Sequence, residues 1–167
     1  EPSRVVSLHS IGATPTMADD VVEQRFGTFE AHIDTVELFN SNDTLTQKIP
    51  PGGSATVKMR VAFEKNISNP VFGIMIKNRY GLEIFGTNTQ LKKIDTGIFT
   101  VGESIMVAFS FDARMGLGFY ALSVAVHTEV NEFLDYRVDV LTFEIDGALD
   151  SIGYCPLETE IVWEKLD

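Results

Sequence analysis

Val57, Met59, Val61 and Phe63 alternate with Lys58, Arg60, Ala62 and Glu64. This is the period-two pattern of a strand with one buried face and one face in water. The same rhythm returns in Ile105, Val107, Phe109 and Phe111, and again in Tyr120, Leu122, Val124 and Val126, whose alternate positions are Ala121, Ser123, Ala125 and His127. Ala31, Ile33, Val36, Leu38 and Phe39 keep it with one slip, which a bulge at Asp34-Thr35 accounts for. Residues 136–145 read as a further strand. Polar or Gly/Pro clusters at 40–44, Pro50-Pro51-Gly52-Gly53, Thr96-Gly97, Met115-Gly116-Leu117-Gly118 and 129–135 separate these runs. A single helical turn at 21–26 is the most the helical period supports. About eight strands spaced by turn signals predict an all-β chain folded as an antiparallel β-sandwich.

The densest signal is the stretch from Asn69 to Thr89. Residues 71–77 are apolar and β-branched behind Pro70, Tyr80-Gly81 supplies a turn, and residues 82–85 resume as a strand. Gly86-Thr87-Asn88-Thr89 closes it as a corner of small polar side chains able to bond to nearby backbone.

Domain organisation follows from the breaks. Residues 1–28 are mixed, a linker with a candidate short strand at 4–9. Residues 29–147 carry the sandwich. Residues 148–167 are a Gly- and Pro-containing connector followed by a strand at 159–166 that holds the only Trp, Trp163. A strand beyond a loose connector must pair with a sheet edge, either its own or that of a second copy.

Composition narrows the function classes. The chain has 167 residues, enough for one domain with a core. A net charge of −11 argues against nucleic acid and anionic membrane surfaces, which require clustered Lys and Arg. It leaves neutral ligands such as sugars open. Cys155 is the only cysteine, so no intrachain disulfide forms, which fits a reducing compartment. No run of about 18 apolar residues is present, and no secretory leader is recognisable. The chain begins at Glu1 and not at Met, as expected of a piece of a longer protein.

Catalytic patterns are missing. Gly116-Leu117-Gly118 sits between strands and is too short for a dinucleotide fingerprint, and no phosphate-binding Gly-x-x-x-x-Gly-Lys loop or Gly-x-Ser-x-Gly elbow occurs. His9, His32 and His127 are scattered. Glu129, Glu132, Asp135 and Asp139 cluster, but without calcium-loop spacing, and read as a solvated acidic loop with Asp139 paired to Arg137 or Lys77. No catalytic residue, metal ligand or cofactor is expected. What remains is a recognition surface, in which planar polar groups and flat aromatic faces supply what a sugar needs. The water-facing positions offer Arg60, Met75, Lys77, Arg79, Ser123, His127 and Tyr136 as candidates, contiguous if their strands are neighbours in one sheet. Lys58 and Arg137 belong to the same set of faces.

The hairpin ending Phe85-Gly86-Thr87-Asn88-Thr89 resembles the C-terminal polysaccharide-binding domain of Wzt, the ATP-binding subunit of ABC transporters that export bacterial O-antigen. Phe26-Gly27-Thr28 with Ala31-x-Ile33, Pro51-Gly52-Gly53, Val101-Gly102-Glu103 and Gly118-x-Tyr120-x-Leu122 extend the resemblance over about residues 26–147. Glu83 matches the acidic residue after the turn, whereas Asn78-Arg79 departs from an Arg-Asp-like pair. The resemblance implies an immunoglobulin-like or jelly-roll sandwich that captures the nonreducing end of a finished O-antigen polysaccharide without chemistry. It further implies a homodimer, an ATPase elsewhere in the parent protein, contact with a membrane subunit through that parent, and a cytoplasmic place at the inner face of the bacterial inner membrane. A dimerisation module with no ligand of its own is the alternative. A carbohydrate-active enzyme on a jelly-roll scaffold ranks last.

Overall fold

The computed structural model describes residues 24–157 and 159–165. They hold no helix and eleven strands: β1 (Gln24–Phe26), β2 (Ala31–Asn40), β3 (Lys48–Ile49), β4 (Ser54–Phe63), β5 (Ile67–Ser68), β6 (Val71–Asn78), β7 (Glu83–Asn88), β8 (Ile98–Phe99), β9 (Ser104–Asp112), β10 (Gly118–His127) and β11 (Phe133–Ile145). The seven longer ones are the strands expected up to residue 147. Four short ones, β1, β3, β5 and β8, are additions.

Two layers result. One sheet runs β1-β11-β10-β6-β7, with β3 parallel to the end of β11; the other runs β2-β4-β9, and β5 and β8 make a small separate pair. The alternating residues meet between the layers. Ile33, Met59, Val61 and Phe63 from one sheet face Ile74, Ile76, Leu122, Val124 and Val126 from the other, all buried. Each such side chain contributes up to about 1.5–3 kcal/mol of transfer free energy. The slip in β2 is a register shift between Ile33 and Thr35 against β4, as the pattern predicts.

Tyr120 anchors the sandwich at the start of β10. Its hydroxyl donates to the Gly116 carbonyl at 2.8 Å, four residues upstream. This resembles the tyrosine corner of immunoglobulin-like sandwiches. Burial pushes the phenol above its ordinary range, and neighbouring Tyr154 adds to the shift.

Three local expectations change. Residues 24–26 are strand β1 and not part of a helical turn, because the long β11 offers a free edge: Gln24, Arg25 and Phe26 pair with Val138, Arg137 and Tyr136. Gly27, at φ 153°, lets the chain press onto that edge, where a Cβ would lie 2.3 Å from the Leu134 carbonyl oxygen. The polar corner begins later than expected, since Gly86, Thr87 and Asn88 continue β7; Thr89 Oγ1 then accepts from Phe72 N and Asn88 Oδ1 from Leu91 N. Asp135 is wholly buried instead of solvated. The expected strand at 4–9 lies outside the described residues. Residues 159–165 carry no strand in the single chain.

Candidate functional site

The outward face of the larger sheet carries a trough of about 390 Å³. The pairing explains its shape. Ser123 lies opposite Met75 and Ala125 opposite Gly73 on β10 and β6; Gly86 lies opposite Met75 and Asn88 opposite Gly73 on β7 and β6. Four adjacent outward positions, Gly73, Gly86, Ser123 and Ala125, are thus small and leave a depression. Glycines inside strands weaken them and mark a close approach by something else. At Gly86 that neighbour is Met75, whose Cε would lie 2.7 Å from an added Cβ.

Aromatic rings form one wall. Phe133 stacks on Tyr136 with centroids 5.0 Å apart, Phe26 meets both edge-on, and His127 meets Phe133 edge-on at 5.9 Å. His127 is only 6% exposed. Its Nδ1 lies 2.7 Å from the Thr128 carbonyl oxygen, which fixes Nδ1 as the donor in this contact. Nε2 has no hydrogen bond among the described residues and is not fully buried, and His127 lines the trough. The Tyr136 hydroxyl likewise has no hydrogen bond among the described residues. Asn88 and Leu91 border the opposite side, and Glu83 sits at the rim.

Ser123 is a fastener on this floor. Its hydroxyl donates to Asp139 Oδ1 at 3.1 Å and accepts from Asp139 N at 2.9 Å. Asp139 has φ 51° and bulges β11, between the pairs Leu122–Leu141 and Val124–Arg137. The bulge brings Tyr136 beside Ala125, and a second register shift, between Val126–Asp135 and His127–Phe133, brings Phe133 beside His127.

A sequence model of the Wzt C-terminal domain matches residues 22–157. The chain belongs to the Wzt C-terminal domain family. The crystal structure of the C-terminal domain of Wzt has the same fold, with a TM-score of 0.79 at 22% identity over 87% of this chain and 90% of that one. Two structures of a Listeria innocua β-glucosidase, with glucose and with gluconolactone, give TM-scores of 0.42 and 0.41 at 16% and 14% identity; each covers 68% of this chain but 16% of the enzyme and carries no weight. No curated protein matches the chain.

On this Wzt-type sandwich the candidate residues divide. Met75, Ser123, His127 and Tyr136 come together in the trough. Lys77 shares their face but lies outside the lining, with Nζ 4.0 Å from Asp139 Oδ1. Arg79 occupies the β6–β7 turn, its guanidinium 4.7 Å over the Tyr80 ring and bonded to the Tyr80 hydroxyl. Arg60 does not join them. It is on β4 in the opposite layer, where its Nε is 3.7 Å from Asp34, because alternation assigns a face within a strand but not the sheet that holds the strand. Lys58 is in that same layer, bonded to Asp43 at 2.6 Å. Arg137 turns inward to the carbonyls of Ile33 and Asp34. Phe133, Asn88 and Leu91 line the trough without having been named as candidates, and Phe26 packs against its wall; the Phe26-Gly27 anchor and the corner holding Asn88 were the available signals. Asn78, at the departure from the family pattern, caps the turn: its Oδ1 accepts from Tyr80 N and Leu82 N, both at 3.0 Å.

Among the described residues no group of three or more His, Cys, Asp or Glu is placed to hold a metal ion. The described residues hold no helix, and so none long and apolar enough to cross a membrane.

Proposed function

We propose that the trough binds the nonreducing end of a finished O-antigen polysaccharide, as the substrate-reading part of an ABC exporter. The observation that carries this reading is the convergence of Met75, Ala125, His127, Phe133 and Tyr136 around a small-residue floor. Such a site offers what a sugar ring uses: a flat apolar face and unpartnered polar atoms at its edge. Binding proceeds without bond-breaking. Asp135 points into the core against Arg25, while Asp139 holds Ser123 on the outer face, so the two carboxylates do not flank a common site. The parent protein carries the ATPase and meets the membrane subunit on the cytoplasmic side of the inner membrane. Isothermal titration with the polysaccharide tests the reading. Heat that saturates in the wild type and weakens in Tyr136→Ala is expected; equal binding by both places the glycan elsewhere.

A second feature favours dimerisation in addition. Ile161, Val162 and Trp163 are each more than four-fifths exposed. Strand β9 ends its sheet with Ile105, Val107, Phe109 and Phe111 only half buried. An unpaired sheet edge and a segment of exposed apolar residues together support exchange of residues 159–166 between two copies. Removing residues 158–167 is expected to convert a dimer to a monomer in light scattering, and an unchanged mass overturns the exchange.

A further inference from the structure

Resting on the glycan-binding reading, we infer that Phe26 is a second sugar platform, so that the site reads the last two rings of the chain: the terminal ring in the trough and the ring before it on Phe26. The strand order carries this. Asn88, Gly73, Ala125, Tyr136 and Phe26 lie directly opposite one another on β7, β6, β10, β11 and β1. Directly paired residues of antiparallel strands project to the same face. The five therefore form one row across the outward face of the larger sheet. Neighbouring strands are about 4.8 Å apart, so the row extends for about 19 Å, more than one sugar ring covers.

Asn88 stands at one end of the row, Gly73 and Ala125 give the hollow, Tyr136 is its wall, and Phe26 lies beyond the wall. The Phe26 ring meets Tyr136 edge-on at 5.0 Å and Phe133 edge-on at 5.6 Å, yet is 46% exposed. A half-exposed phenylalanine on its own calls for no explanation. This one continues the rings that line the trough and prolongs their apolar surface to the sheet edge. Arg25, the residue before it, turns inward to Asp135, which sets the outward direction of Phe26. Gln24 shares the outward face two residues back and is exposed, so an amide stands beside the ring. A flat apolar face with a planar donor and acceptor next to it supplies both kinds of contact a sugar ring makes. A glycan whose terminal ring sits against Tyr136 then crosses β11 onto Phe26.

The test presents the whole 167-residue chain, as wild type, Gly86→Ala, Phe26→Leu and Phe26→Tyr, to an array of bacterial O-polysaccharides. Signals that fall in Gly86→Ala mark binding in the trough. The polysaccharide with the strongest such signal is then displaced with its own nonreducing terminal monosaccharide and disaccharide. The wild type is expected to need about tenfold less disaccharide than monosaccharide, the contribution of one further stacked ring. Phe26→Leu keeps apolar packing against the wall but removes the flat ring, and is expected to bring the two concentrations within about twofold of each other. Phe26→Tyr keeps the ring and is expected to keep the difference. A ratio unchanged in Phe26→Leu, or lost in Phe26→Tyr as well, overturns the second platform while leaving glycan binding in the trough intact. Absence of any signal that depends on Gly86 overturns the binding reading and this inference with it.

Discussion

Arg25 clamps Asp135 with two hydrogen bonds, Nε to Oδ1 at 2.9 Å and Nη2 to Oδ2 at 2.7 Å. The carboxylate is wholly buried and also accepts from Ile33 N at 2.6 Å. The pair therefore joins three elements: β1 carries the arginine, β11 the aspartate, and β2, in the other layer, the amide at its bulge. Phe26 follows Arg25, and Phe133 and Tyr136 flank Asp135, so the outward aromatic cluster rests on the inward ion pair.

Breaking that pair leaves a charge in the core. Arg25→Ala is expected to destabilise the fold by about 3 kcal/mol, at the low end for a buried pair because the arginine side chain is 36% exposed. Asp135→Ala strands the Ile33 amide and costs about 1–3 kcal/mol. The double variant is expected to lose much less than the sum, since the two residues act on each other. Urea denaturation of the three variants measures this, and additive losses would show the residues to be independent.

Tyr120 makes stability depend on alkaline pH. Its phenol is raised above the ordinary value by burial. The folded state thus holds the proton more tightly than the unfolded one. The associated stability is fully present below about pH 10 and is lost as pH rises through the folded pKa. Tyr120→Phe is expected to lose about 1 kcal/mol at pH 7 with the hydrogen bond to Gly116, yet to show a shallower decline above pH 10. Urea midpoints at the two pH values decide it; parallel declines would assign the alkaline loss to other groups.

Much of the fold was legible because alternation reports burial directly. Val57, Met59, Val61 and Phe63 had to face a core, and they do. The candidate site was legible only in part. Alternation placed Met75 and Ser123 on outward faces, and strand neighbourhood made them adjacent. It could not place Arg60, whose strand belongs to the other sheet. Nor could it foresee Asp135 buried and Arg137 half-buried and turned toward β2, since acidic and basic residues are ordinarily exposed, and their placement depends on Arg25 and on the Ile33 carbonyl from distant parts of the chain. His127, expected on a water-facing strand surface, is nearly covered by the aromatic cluster, a tertiary arrangement that no local period encodes.

Ser123 secures the bulge that aims the wall. Ser123→Ala removes both bonds to Asp139 and leaves the Asp139 amide without its side-chain acceptor. A loss of about 1–3 kcal/mol is expected. Ser123→Thr retains the hydroxyl and serves as the check on chemistry against space. Near-ultraviolet circular dichroism is expected to change in the alanine variant, because Tyr136 and Phe133 lie just before the bulge. An unchanged spectrum and stability would mean that the bulge is held by its neighbours in the sheet.

Gly86 separates the trough from the fold that supports it. Its φ lies outside the left-handed region, so alanine fits the backbone. The atoms in the way are the far end of Met75, Cε at 2.7 Å and Sδ at 3.0 Å. A flexible thioether can move, and the outward direction open to it is the trough. Gly86→Ala is therefore expected to change stability by less than about 1 kcal/mol while weakening glycan binding about tenfold. Shortening the displaced side chain reopens the space, so Gly86→Ala with Met75→Ala is expected to regain most of the affinity. Titration calorimetry beside urea denaturation distinguishes the cases. If Gly86→Ala binds as well as the wild type, the glycan does not use this floor. If it unfolds, the glycine serves the sheet and not the ligand.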